Sequence, residues 1–224
     1  MKKFICVLCF TLALISLCSC GTLPSSSGRS TYPSSPTPSQ RELFDGEKAI
    51  SQLDIQTYWV ESNWNKYAIV TIKNNSEYNL RISVDVNFYD EDGNLIGVDH
   101  ETQEAVESGY ETVFSFIADD EATDVDGEYS IIEETWYDCV LSDLSYESSE
   151  AKDKIILSVT NNGNKPADFV QANVIFFDGS SPVGFDWTYV VDDDSEIKPG
   201  RTVKKELRCY ESFDSYLIFL SGRR

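Results

Sequence analysis

The sequence predicts an all-β protein made of two tandem modules of the sandwich or barrel kind, behind an export signal and a disordered linker. Three observations carry that prediction. From Ile50 onward, short alternating apolar runs are separated by Gly, Asn, Asp and Pro corners, the pattern of a β-sandwich or barrel. Residues 68–97, AIVTIKNNSEYNLRISVDVNFYDEDGNLIG, align with residues 155–184, IILSVTNNGNKPADFVQANVIFFDGSSPVG, so one unit is written twice. No stretch of the mature part keeps helical spacing over three turns, and helix is expected only as one turn near residues 42–50.

The chain opens MKKFICVLCFTLALISLCSCG: two lysines, an uncharged apolar run, then small residues, which is the build of an export signal. The run Leu17-Cys18-Ser19-Cys20-Gly21 resembles the lipobox of bacterial lipoproteins. That resemblance implies a signal peptide over residues 1–19, cleavage before Cys20, and a diacylglycerol thioether on its sulfur. Two or three acyl chains anchor a protein stably where one does not. The alternative for the same stretch is an uncleaved transmembrane helix. Residues 20–45 then hold the lipidated Cys20 and a Ser/Pro-rich linker, since GTLPSSSGRSTYPSSPTPSQ offers too little apolar surface to fold. Such a tether spans roughly 25 Å as a flexible coil, so the folded part is expected close to the membrane.

Module 1 is placed at residues 46–137 and module 2 at residues 138–224. In RISVDVNF, Ile82, Val84, Val86 and Phe88 share one face, which is a half-buried strand. Strands are expected near 53–62, 67–74, 81–90, 94–104, 111–118 and 128–136, and again near 139–147, 154–161, 169–178, 182–191, 202–209 and 214–220. No Pro/Ser linker interrupts residues 128–144, so the modules should abut, as an elongated rod.

The repeated corners are Asn74-Asn75, Phe88-Tyr89-Asp90, Gly93 and Gly97 in the first copy. The second copy supplies Asn161-Asn162, Phe177-Asp178, Gly179 and Pro199-Gly200. On these residues the chain resembles the FxLYD domains, small envelope modules of the immunoglobulin-like β-sandwich class. The resemblance covers most of residues 50–220 and implies two tandem immunoglobulin-like sandwiches at a cell surface. It implies no catalytic or ligand residues. Phe177 stands where the pattern has Tyr, and Ser108-Gly109 where it has Pro-Gly.

With 18 basic and 38 acidic residues, the formal charge is -20 and the pI near 4.2. Such a surface repels phosphate backbones and anionic headgroups, so nucleic acid is not expected as a partner and membrane attachment falls to the lipid. The corner Asp90-Glu91-Asp92-Gly93-Asn94 invites a calcium reading, yet the spacing is not that of an EF-hand loop. Asp and Gly alone suffice for a turn. No metal is assigned; Asp90, Asp92, Asp120 and Asp193 are the weak calcium candidates. His100 stands alone, against a zinc site, and is expected on an exposed strand face. Cys139 and Cys209 either bridge in an exported, oxidising setting or remain two buried thiols. The aromatic residues most suited to a ligand patch are Trp64, Trp187 and Tyr189, against a default of core packing.

No nucleophile elbow, zinc-protease helix or phosphate loop appears in the sequence, and no cofactor is implied. The expected role is non-catalytic binding, assembly or spacing by a protein held outside the cytoplasm on the bacterial membrane, with a protein or glycan partner at the surface. The alternative is a calcium-dependent adhesin or a carbohydrate-binding surface protein.

Overall fold

Strand β2 (Lys66–Asn74) shows why the sheets stack as they do: Ala68, Val70 and Ile72 are buried on one face, and Ile69 and Thr71 on the other. A strand apolar on both faces must lie inside, with another layer on each side. The computed structural model describes residues 43–61, 65–192 and 194–224. The signal segment, Cys20, the tether up to residue 42, Trp64 and Asp193 lie outside the described residues.

The described chain is all-β apart from one helical turn, α1 (Gly46–Ile50), and a 3-10 turn at Leu141–Asp143. Asp45 caps α1 by accepting the Lys48 N–H at 3.0 Å. Phe44 packs edge-on against Tyr78 at 5.1 Å, so ordered packing begins two residues before the expected boundary at residue 46. The antiparallel sheet β1–β2–β5 joins β1 (Leu53–Glu61), β2 and β5 (Glu111–Ala118). A second sheet runs β4–β3–β6, from β3 (Leu80–Tyr89), β4 (Leu95–Val106) and β6 (Asp124–Glu133). Between them lies an apolar layer that includes Val70, Ile72, Ile82, Val84, Phe114 and Phe116.

The second half repeats this connectivity. One sheet runs β12–β8–β7, from β7 (Leu144–Ala151), β8 (Lys154–Asn161) and β12 (Thr202–Arg208). The other centres on β9 (Ala167–Asp178), which pairs with β10 (Ser181–Tyr189), the short β11 (Glu196–Ile197) and β13 (Ser215–Arg223). Ile155, Leu157, Val159, Val174 and Phe176 are among the residues that fill the space between these sheets.

The repeat extends to single hydrogen bonds. The Asn74 side-chain amide donates to the Tyr78 and Val106 carbonyls at 2.8 and 3.0 Å, and its oxygen accepts the Ser76 N–H. Asn161 donates to Lys165 and Ile197, both at 2.8 Å, and accepts from Gly163 N–H. Gly109 and Gly200 each donate their N–H to the carbonyl of the matching Asn at 2.7 Å. Both glycines sit at positive φ, +83° and +71°, which a side chain would strain. One buried amide thus ties a loop, a strand end and a turn in each copy.

A third apolar layer joins the halves. Val60, Ile69 and Val113 from the β1–β2–β5 sheet meet Ile175 and Phe219 from the β9-centred sheet, with Tyr58 and Tyr67 against Phe177 and Phe185. Each fully buried aliphatic here is worth about 2 kcal/mol. The four sheets therefore lie face upon face in successive layers. The outer strands β3 and β8 alternate buried and partly exposed positions, while the central parts of the inner strands β2 and β9 are buried on both faces.

The junction also departs from expectation. Strand β6 ends at Glu133 because the Glu134 carboxylate turns back to accept the Trp136 and Tyr137 N–H groups at 2.8 and 3.2 Å. Asp138 then pairs with Arg224 and Cys139 with Arg223, so β7 starts only at Leu144.

Candidate functional site

The acidic corner is a self-capped turn. Asp90 Oδ1 accepts the Asp92 and Asn94 N–H groups at 3.0 and 2.8 Å, and Oδ2 accepts the Asn94 side-chain amide at 2.9 Å. Those bonds, the Asn94 side chain first, hold the Asp90 carboxyl below its usual range. Gly93 follows at φ +79° and Gly179 occupies the matching turn at φ +60°. Asp92 and Asp120 are exposed. Among the described residues, no group of three or more His, Cys, Asp or Glu side chains is placed to hold a metal ion. His100 Nδ1 lies 2.8 Å from Asp85 on the exposed strand face, with the Thr102 hydroxyl 3.2 Å from Nε2.

Cys139 and Cys209 are free thiols, which corrects the bridged alternative. Cys139 pairs with Arg223, which pairs with Asp168 on β9, whereas Cys209 lies under Gly184, opposite Phe176 on the same strand. Eight residues of extended β9 separate those two positions, roughly 25 Å at about 3.3 Å per residue, and a disulfide needs Cα atoms within about 7 Å. The Cys139 thiol donates to the Ala105 carbonyl at 3.3 Å. Burial, then the nearby Glu107, Glu134 and Asp138, push its pKa up to about 12. Burial likewise raises that of Cys209.

Of the expected aromatic patch, Trp187 and Tyr189 come together and Trp64 lies outside the described residues. The Trp187 and Tyr189 rings meet at right angles, centroids 5.7 Å apart, and are 50% and 47% exposed. They alternate with Thr188 on β10, on the face that Phe185 presents to the first half. Strand register gives each ring a counterpart. Trp187 pairs with Asn173 as His100 pairs with Asp85, and Tyr189 pairs with Gln171 as Thr102 pairs with Ser83. The first copy is polar at these positions, where the sheet face meets solvent. The second copy is aromatic there although the positions stand half in solvent, so covering the interface does not account for the rings.

Beside Tyr189 lies a groove of about 280 Å³, lined among others by Glu101, Gln103, Phe169, Gln171 and Arg223. Glu101 reaches it from β4. Its carboxylate accepts the Ser115 N–H at 3.0 Å and the Gln103 amide at 2.8 Å, and burial pushes its pKa up against those bonds. Glu104 is shared between two guanidinium groups, that of Arg81 at 3.1 Å and that of Arg223. Arg223 also lies over the rings of Tyr137 at 4.2 Å and Phe169 at 5.1 Å, and Arg81 over Trp136 at 4.3 Å. Glu134 completes the cluster, 3.4 Å from Arg81. Burial raises its pKa, but three backbone N–H bonds and Arg81 outweigh that and hold the carboxyl below its usual range. The Arg81 contacts are ion pairs and a ring stack rather than aligned hydrogen bonds, since its Nε and Nη2 are buried without one.

Sequence reasoning missed Glu101, Gln103, Phe169, Gln171 and Arg223. The available signal was the mismatch between copies, His100 and Thr102 against Trp187 and Tyr189. Phe169, at φ +50°, leaves no trace in the sequence pattern.

No protein-family model matches the chain, and no curated protein matches it. Among solved structures, the crystal structure of red sea bream transglutaminase is similar to 75% of this chain at 12% identity, with a TM-score of 0.24. The chain spans 29% of that protein's length, and a likeness this weak bears on neither fold nor activity. Among the described residues, no helix is long and apolar enough to cross a membrane.

Proposed function

We propose that the protein is a lipid-anchored, extracytoplasmic bacterial envelope protein with two tandem FxLYD-like, immunoglobulin-like sandwich modules. In this reading it binds a surface partner without catalysing a reaction. Cys20 in its lipobox-like setting supplies the anchor, and the strong acidity disfavours nucleic acid. The matching amide networks of Asn74 and Asn161 support two copies of one module. The observation that carries the binding reading is the half-exposed Trp187–Tyr189 pair beside a polar groove, at positions where the first copy is polar. The ionisable groups of the groove are engaged in structural contacts, Glu101 with Ser115 and Gln103 and Glu104 with two arginines, which favours recognition over acid–base chemistry.

Two measurements test this reading. Cys20→Ala should move the protein from the membrane to the soluble fraction and abolish labelling by a fatty-acid probe; persistent labelling would refute the anchor. Chemical crosslinking on intact cells should give a surface adduct with the wild-type chain and none with Trp187→Ala/Tyr189→Ala, at equal membrane retention and unchanged melting temperature. Equal adducts from both would sink the binding site.

A further inference from the structure

We propose that the groove beside Tyr189 takes a neutral saccharide, with Tyr189 as its stacking wall and Trp187 as a second ring next to it. This deepens the binding reading above and rests on it. A pyranose presents C–H groups on its faces and hydroxyls around its rim. Its site therefore needs exposed rings, planar hydrogen-bonding groups and no unbalanced charge.

The groove has each of these. Tyr189 lines it, and Trp187, outside the lining, meets the Tyr189 ring at 90°. Gln103 and Gln171 line the groove and offer amide donors and acceptors. Gln171 donates to Asn173 at 3.0 Å, which sets which way its amide points. Charge decides between ligand classes. In a chain of formal charge -20, a generic acidic surface would select cations, yet the groove is internally balanced. Glu104 is neutralised by Arg81 and Arg223. The Glu101 carboxylate is taken up by the Ser115 N–H and the Gln103 amide. A charged ligand therefore finds each of these groups already engaged, whereas a polyol asks for no countercharge. At about 280 Å³ the groove lies near the lower end of ligand sites, which run roughly 300–1,000 Å³. It would hold part of an oligosaccharide, with the chain continuing over Trp187.

The test uses the full-length chain in a polyoxyethylene detergent, which carries no sugar. Maltohexaose, cellohexaose and the fully N-acetylated chitohexaose are titrated to roughly 10 mM, which covers the weak end of specific binding, and read by tryptophan emission and saccharide NMR line broadening. A chitosan oligomer and an oligogalacturonate serve as cationic and anionic arms. The variant Trp187→His/Tyr189→Thr carries the residues of the first copy at these positions and should fold. The expected result is saturable binding of at least one neutral hexaose, weakened about tenfold or more in the variant, as loss of aromatic packing area requires. Three outcomes would overturn the proposal: no neutral hexaose binding, binding indifferent to the variant, or preference for either charged arm. If the hexaoses fail while the crosslinked surface adduct still depends on Trp187 and Tyr189, the binding reading stands with a protein partner. If both fail, neither stands.

Discussion

Gly184 on β10 has no side chain because Cys209 occupies the space. A Cβ at Gly184 would lie 2.6 Å from the Cys209 Sγ, but 3.7 Å from its Cβ and 3.6 Å from a Phe176 ring carbon. The sulfur is thus the one close obstacle. Gly184→Ala should destabilise by about 1–3 kcal/mol through overpacking, less the ~0.5–1 kcal/mol that alanine recovers over glycine in a strand. Cys209→Ala should cost about 1–2 kcal/mol by leaving a void where the sulfur was. In the double variant the new methyl enters that void at ordinary contact distance, so stability should return to within about 1 kcal/mol of wild type. With mid-range single costs summing to ~2.5 kcal/mol, the coupling energy is about 2 kcal/mol, well above the ~0.3–0.5 kcal/mol scatter of independent sites. Urea titration by tryptophan fluorescence measures it through the midpoint at constant slope. Additive single effects would refute this account of the Gly184 and Cys209 packing.

Three further expectations concern the corners, the thiols and the groove. Asn161→Ala removes a buried amide with three partners and should cost about 2–4 kcal/mol, with a similar loss for Asn74→Ala; a loss below about 1 kcal/mol at either site would deny the shared corner its role. With its pKa moved from 9.0 to about 12, native Cys139 should react with iodoacetamide at pH 8 roughly a thousandfold more slowly than an ordinary thiol, and reductant should leave the melting temperature unchanged. Glu101 has a raised carboxyl pKa, so the fold favours its protonated form. Stability from this group is greatest below the unfolded value and declines as pH rises through the folded one. Glu101→Gln should therefore raise the melting temperature at pH 7 and show no gain near pH 4, and a lower melting temperature at pH 7 would contradict the assignment.

Most strand positions were legible in the sequence, because alternation in RISVDVNF and continuous apolarity in YAIVTI and ANVIFF report the two kinds of layer. The same runs carried the stacking of the halves, though read singly they suggest only strands. Ile69 and Ile175 are each ordinary in their own strand, and what identifies them as partners is that the opposite face of each is already filled. Boundaries failed at the junction, where IIEETWYDCV holds no Gly or Pro to mark a break but Glu134 folds back on Trp136 and Tyr137. The disulfide alternative failed because sequence separation is blind to the length of β9. Trp187 and Tyr189 were visible as an alternating pair, but the groove beside them draws on β4, β9, β10 and β13, and only the packing of the two halves brings those strands to one place.

The central claim is that the aromatic pair meets a partner where its counterpart in the first copy does not. A photo-crosslinking amino acid placed at position 189, and in a separate chain at position 100, the counterpart of Trp187 that does not line the groove, measures this on intact cells. The account predicts a discrete adduct from position 189 and none from position 100. Equal adducts from both positions, or none from 189 in a chain that remains folded and membrane-bound, would contradict it.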